Sequence, residues 1–189
     1  NRLDRETSGL LVAARTQEAA AAMCATAMKK EYLALVFGDF AHPVRARGRL
    51  VHDDSSAVAK KKRFLAGDFS ENDPCSADTE LIPLRRFGKD MTLVRAIPHT
   101  GRQHQIRATL FSLGFPLAGD KLYGPDERIF LKIRSQTISD ADRALLRLPA
   151  QALHSERLEF RHPFLNKQIR CVSPMPESWE KLEKQETIQ

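Results

Sequence analysis

The chain has 189 residues, 30 of them lysine or arginine against 24 aspartates and glutamates, giving a net charge of +6 and a pI near 9.4. That length suits one domain, 1–189, with a proper core, and the positive excess favours polyanionic partners without naming one. The widely spaced Cys24, Cys75 and Cys171 give no zinc or disulfide framework, the histidines give no paired metal motif, no apolar run approaches the roughly 20 residues of a membrane helix and no signal-peptide layout opens the chain, so a cytoplasmic, metal-free protein with reduced thiols and no membrane partner is expected.

The chain opens NRLDRETSG and runs at once into LLVAA. Arg2 and Arg5 flank Asp4, and nearby positive charge favours the ionised form of a carboxylate. Taken alone, this is a surface ion-pair turn of a kind that stabilises little. LLVAA predicts a short buried strand. Thr16 suits the N-cap of a helix over TQEAAAAMCATAMKK, where Ala20, Met23, Cys24, Ala27 and Met28 recur at helical spacing and predict an amphipathic face. EYLALVFG, closed by Gly38, predicts a strand buried on both faces with Tyr32 at its start.

From Val44 to Arg63 the composition turns basic, with Arg45, Arg47, Arg49, Lys60, Lys61, Lys62 and Arg63 set against Asp53 and Asp54. An exposed hairpin-like excursion is expected, either simply solvated or contacting RNA, since phosphate contacts need no particular spacing. AGDFSENDP is turn-rich, and DTELIPL and MTLVRAIP read as strands, the second ending at Pro98, which cannot donate to a central ladder. In HTGRQHQIRATLFSLG a tight turn at Gly101 precedes a helix from Gln103 with Ile106, Leu110 and Leu113 inward and Gly114 as its stop. His104 and Arg107, three residues apart, are expected to share a face of that helix. FPLAGDKLYG reads as a compact loop, SDADRALLRL as a helix, ALHSERLEFRHP and KQIRCVSP as strands, and PESWEKLEK as a terminal helix with Pro176 in its first turn.

Several of these segments resemble, in order, the signatures of the RluA-type pseudouridine synthases. RLDRETSG is similar to that family's R-L-D-x-x-T-S-G, KKEYLALVFG to K-x-Y-x-A-x-V-x-G, TGRQHQIR to G-R-x-H-Q-I-R, GFPLAGDKLYG to G-x-P-x-x-G-D-x-x-Y-G, and LHSERLEFRHP to L-H-x-x-x-L-x-F-x-H-P. The resemblance runs from Arg2 to about Pro174. It implies an α+β catalytic domain, with a mixed, largely antiparallel sheet flanked by helices and loops, that isomerises uridine in structured RNA without cofactor or metal. It further implies Asp4 as the nucleophile, Tyr32 as the tyrosine packed against the target base, Arg107 as the partner of the nucleophile, and Arg2 as a residue that enters the RNA beside the flipped base. Arg102 and His104 are candidates for phosphate or base-edge contact, with structural hydrogen bonding to the loop as their alternative role.

The chemistry fits these residue types. Breaking a glycosidic bond leaves positive character on the sugar, which a carboxylate such as Asp4 can stabilise or trap covalently. Tyr32 offers a flat face and a hydroxyl that can relay a proton. The family usually carries histidine where this chain has Asn1, and its preceding N-K-P-x-G-like segment is not in the sequence, so an N-terminal part is expected to be missing, together with any S4-type RNA-binding domain. Ribosomal RNA is the expected partner and transfer RNA the alternative, with a monomer expected; a catalytically silent RNA-binding module is the competing reading, and a hydrolase using Asp4 with a histidine base lacks any accompanying nucleophile signature.

Overall fold

The computed structural model describes residues 2–187 apart from Asp68 and Glu71. Asn1, at the position where the family usually has histidine, lies outside the described residues, as do these two residues of the turn-rich AGDFSENDP. The strands β1 (Ser8–Gly9), β2 (Met28–Phe37), β3 (Val44–His52), β4 (Lys62–Ala66), β5 (Ser76–Phe87), β6 (Met91–Pro98), β7 (Leu153–Arg161) and β8 (Gln168–Val172) join one sheet in the order β1-β7-β2-β6-β5-β3-β4, with β8 also on β7. The β1–β7 pair is parallel and the others are antiparallel. The helices are α1 (Gln17–Cys24), α2 (Gln105–Ser112), α3 (Arg128–Arg134), α4 (Asp140–Leu146) and α5 (Glu177–Thr187), completing an α+β architecture.

The core lies on both sides of the central strands, as the continuous apolar run of β2 requires. Tyr32, Ala34 and Val36 face one side with Val94, Ala96, and Ile106 and Leu110 of α2. Leu33 and Leu35 face the other, against Leu93, Leu148 and Trp179 of α5. A third cluster fills the space beneath the β3–β4 hairpin, where Ala46, Leu50 and Phe64 meet Ala108, Leu122 and Tyr123. The basic excursion is therefore a hairpin with one buried face, its arginines alternating outward in β3.

Two expectations near the N-terminus are corrected. LLVAA does not extend the sheet: β1 stops at Gly9 and Leu11 is 59% exposed. The cause is competition for one edge. Running on, β1 would pair beyond Ser155 of β7, but from Arg157 that edge is occupied by β8, and Ser173 N–H already donates to the Glu156 carbonyl. The helix expected to reach Lys30 ends at Cys24 and has no buried residue, because Met28–Lys30 pair with Leu158–Phe160 of β7. Thr16 does cap it, accepting from Ala19 N–H at 3.1 Å. The helix α4 starts as expected on Ser139, in a capping box with Asp142, whereas α3 has no counterpart among the elements expected from the sequence. Among the described residues, no helix is long and apolar enough to cross a membrane.

Candidate active site

The segment from Asp4 to Leu10 is tied down at several residues. Thr7 N–H donates to the Asp4 carbonyl at 3.0 Å, and Gln151 Nε2 donates to Thr7 Oγ1 at 2.6 Å. Lys121 Nζ reaches Glu6 at 2.6 Å and also the Pro149 carbonyl. Ser8 Oγ lies 2.9 Å from His154 Nδ1, and Leu10 N–H donates to the Ser155 carbonyl at 3.0 Å.

Tyr32 reaches the same place from β2. A register shift against β7 between Glu31 and Tyr32 marks a bulge, the device by which a strand re-aims a side chain. Burial pushes the Tyr32 hydroxyl above its ordinary pKa; Ser155 offsets part of this, and the negative charge of Asp4 adds to it.

Arg107 comes from α2, whose N-terminal end is pinned by Gln105. The Gln105 Oε1 accepts from Arg102 N–H at 2.9 Å and from Thr100 Oγ1 at 2.8 Å, while Nε2 donates to the Asp78 carbonyl and to Thr79 Oγ1. Arg107 Nη1 then donates to Asp4 Oδ2 at 2.8 Å, so the partner of Asp4 is 103 residues away rather than the adjacent Arg2 or Arg5. The other side of the guanidinium is held by Asp120, with Nε to Oδ2 at 2.7 Å and Nη2 to Oδ1 at 2.9 Å. Burial works against the Arg107 charge, but the hydrogen bonds and charge of Asp120, then those of Asp4, raise its pKa above the usual value. Burial likewise opposes the Asp120 charge, and Arg107 together with the Tyr123 and Leu122 N–H groups overcomes it, holding the carboxyl below its ordinary range.

Asp4, Tyr32 and Arg107 line one cleft of about 360 Å³, with Arg2, Lys30, Arg102 and His104 on its walls. Arg102 is engaged with the fold: Nε donates to the Ser76 carbonyl at 3.1 Å. His104 does not share a helix face with Arg107, because it precedes α2 in the left-handed region at φ 58°. The two meet instead around Tyr123. His104 Nδ1 is 3.1 Å from the Tyr123 hydroxyl, which accepts from Lys62 N–H at 2.8 Å, and the Arg107 guanidinium lies 5.0 Å from the Tyr123 ring centre. Burial and the Arg107 charge both lower the His104 pKa.

Sequence reasoning passed over Asp120 and Tyr123. The signal was a carboxylate directly after the apolar FPLAG segment, which has to find a partner once buried.

The sequence model of the RNA pseudouridylate synthase family matches residues 1–112, more than half of the chain. The chain is 36% identical over 185 residues to ribosomal large subunit pseudouridine synthase D of Nitrosomonas europaea, a match that covers 94% of this chain and 47% of the relative. It is 31% identical over 197 residues to tRNA pseudouridine synthase C of Pasteurella multocida, covering 95% and 73%. The fold resembles human RNA Pseudouridylate Synthase Domain Containing 1, with a TM-score of 0.68 at 24% identity over 92% of this chain and 67% of that one. The chain belongs to the RNA pseudouridylate synthase family. It spans about half the length of several curated relatives that it matches.

Proposed function

We propose that this chain, as a single domain, isomerises uridine to pseudouridine in structured RNA, with Asp4 as nucleophile. The reading rests on one observation: Asp4 and Tyr32 line the same cleft, and Arg107 grips the carboxylate from the protein side. A uridine turned out of its stack stacks on Tyr32 and brings its sugar to Asp4. As the bond from N1 to the sugar breaks, Asp4 stabilises the positive sugar or bonds to it. The base turns and rejoins through carbon 5, which loses its hydrogen as a proton while N1 gains one. Arg107 acts as a positioning residue, keeping the Asp4 carboxylate aimed into the cleft.

Arg2, exposed on the cleft wall, is assigned to the RNA, and Arg102 and His104 to the loop that frames the bound nucleotide. Ribosomal RNA is the proposed substrate, in line with the name of the Nitrosomonas relative, with transfer RNA as the alternative; the protein is read as a cytoplasmic monomer. The test is release of tritium from carbon 5 of labelled uridine in ribosomal and transfer RNA transcripts. The parent chain is expected to release it and Asp4→Asn is not. Release undiminished in Asp4→Asn removes the nucleophile assignment, and no release from either RNA class removes the isomerase reading.

A further inference from the structure

A second cleft, of about 680 Å³, adjoins the first and shares Arg2, Leu3, Asp4, His104 and Arg107 with it. Its outer wall is the connection between β3 and β4, and its floor is α3. These two elements are locked together from beneath: Lys61 Nζ and Ser56 Oγ both donate to Glu127 Oε2, at 2.6 and 2.9 Å, and the Lys61 side chain is 4% exposed. The next residue, Lys60, turns into the cleft with Nζ 4.6 Å from the Phe130 ring centre. Arg134 lies one turn further along α3, and Arg5 faces it from the catalytic turn.

The charges on these walls are of two kinds. Lys121 is committed to Glu6. Among the described residues, no ion pair joins Arg5, Lys60 or Arg134 to a carboxylate. Four cations without an acidic partner, Arg2 with these three, line a cleft that has an aromatic face and is contiguous with the Asp4 cleft, and they fit a phosphodiester chain with a base to stack, not an acidic peptide or a lipid surface.

We propose that the second cleft seats the nucleotide adjoining the target uridine, with Lys60, Arg134 and Arg5 on its phosphates and Phe130 under its base. Lys60 swings off the ring to the phosphate as the base arrives. This rests on the first cleft being the uridine site, and it makes selection of the flanking nucleotide a property of α3 and the β3–β4 connection.

The experiment measures binding of the parent chain to a ribosomal RNA transcript across a salt series, together with tritium release from the same transcript. The variants are the double substitution Lys60→Gln with Arg134→Gln, the single substitution Phe130→Leu, and Arg170→Gln, a change of charge on β8 away from both clefts. Each lost phosphate contact lowers the slope of log affinity against log salt by about 0.7 on single-stranded RNA, so the double variant is expected to lose about 1.4 in slope. Phe130→Leu is expected to weaken binding about tenfold with the slope unchanged, and Arg170→Gln to change neither. A slope for the double variant equal to that of the parent or of Arg170→Gln overturns the proposal. If the slope falls as expected while the parent releases no tritium, the second cleft binds RNA phosphates, but the isomerase reading fails and with it the place of that cleft beside a target uridine. Tritium release with an unchanged slope does the reverse, keeping the isomerase and removing the second cleft from RNA binding.

Discussion

Asp120 grips the Arg107 guanidinium with both carboxylate oxygens, leaving Nη1 to hold Asp4. The pair is asymmetric in its exposure: the Asp120 side chain is wholly buried, whereas Asp4 is 18% exposed toward the cleft. A planar fork fixed along one edge cannot rotate, so its remaining nitrogen presents a fixed donor to Asp4. Asp120 thus sets the direction from which Asp4 is held, without touching the cleft.

Removing the buried partner should cost far more stability than removing the exposed one. Asp120→Asn leaves the buried guanidinium with Asp4 as its one charged partner and is expected to destabilise by about 3–5 kcal/mol, whereas Asp4→Asn leaves the Asp120 fork intact and costs about 1–2 kcal/mol. Urea unfolding of both variants checks this. Equal losses would mean that Asp120 does not anchor Arg107. The pH dependence has a definite sign: the Asp120 carboxyl is held below its usual range, so the unfolded chain binds the proton more readily. Its contribution is complete above a pH of about 4 and is lost as pH falls below that, an acid-side decline that Asp120→Asn should lack.

How much of this was readable in advance depended on distance along the chain. β2 was legible because EYLALVF is apolar on both faces, and α4 because the whole helix lies within SDADRALLRL. The end of β1 was not, since it is set by β8, which takes the neighbouring stretch of the β7 edge. Asp4, Tyr32 and Arg107 took their expected roles from motif resemblance; the ion pair between Asp4 and Arg107 depends on β1 docking beside β7 and on α2 being pinned by Gln105 to β5. Asp120 stood in a quoted motif, yet its role follows only from burial, which no local pattern displays.

Neither tyrosine should ionise near its ordinary pKa. Burial raises Tyr32, and burial pushes Tyr123 up to about 12. Since the chain has only Tyr32 and Tyr123, a phenolate absorbance titration of the native protein reads both. Less than half a tyrosine equivalent of phenolate is expected at a pH of about 10, where free tyrosine is half ionised. Half a tyrosine equivalent or more ionised there, in protein still folded by circular dichroism, would refute the buried placement.

His104 should remain neutral through the physiological range. Its pKa is lowered by burial first and by Arg107 second. Because the folded value lies below that of the unfolded chain, protonation favours unfolding, and stability declines as pH drops below about 6.5. His104→Asn keeps a residue type that tolerates left-handed backbone and should flatten part of that decline. Imidazole proton resonances provide the direct check: a His104 midpoint at or above about 6.5 contradicts the assignment.

Gly9 determines whether the turn that carries Asp4 can dock at all. Its φ of +99° already disfavours a side chain, and an added Cβ would drive into the Ser155 carbonyl of β7. Gly114 has a similar φ of +86° with open space around it, so it isolates the backbone cost from the clash. Gly114→Ala is expected to lose about 1–2 kcal/mol from the left-handed conformation alone. Gly9→Ala should lose more, because either β1 leaves β7 or the strand backbone gives way. Tritium release should fall with it, since Asp4 loses the anchor that holds it against Arg107. Equal destabilisation by the two substitutions would mean that contact with Ser155 does not hold the turn in place, and that the side-chain bonds of Glu6, Thr7 and Ser8 suffice.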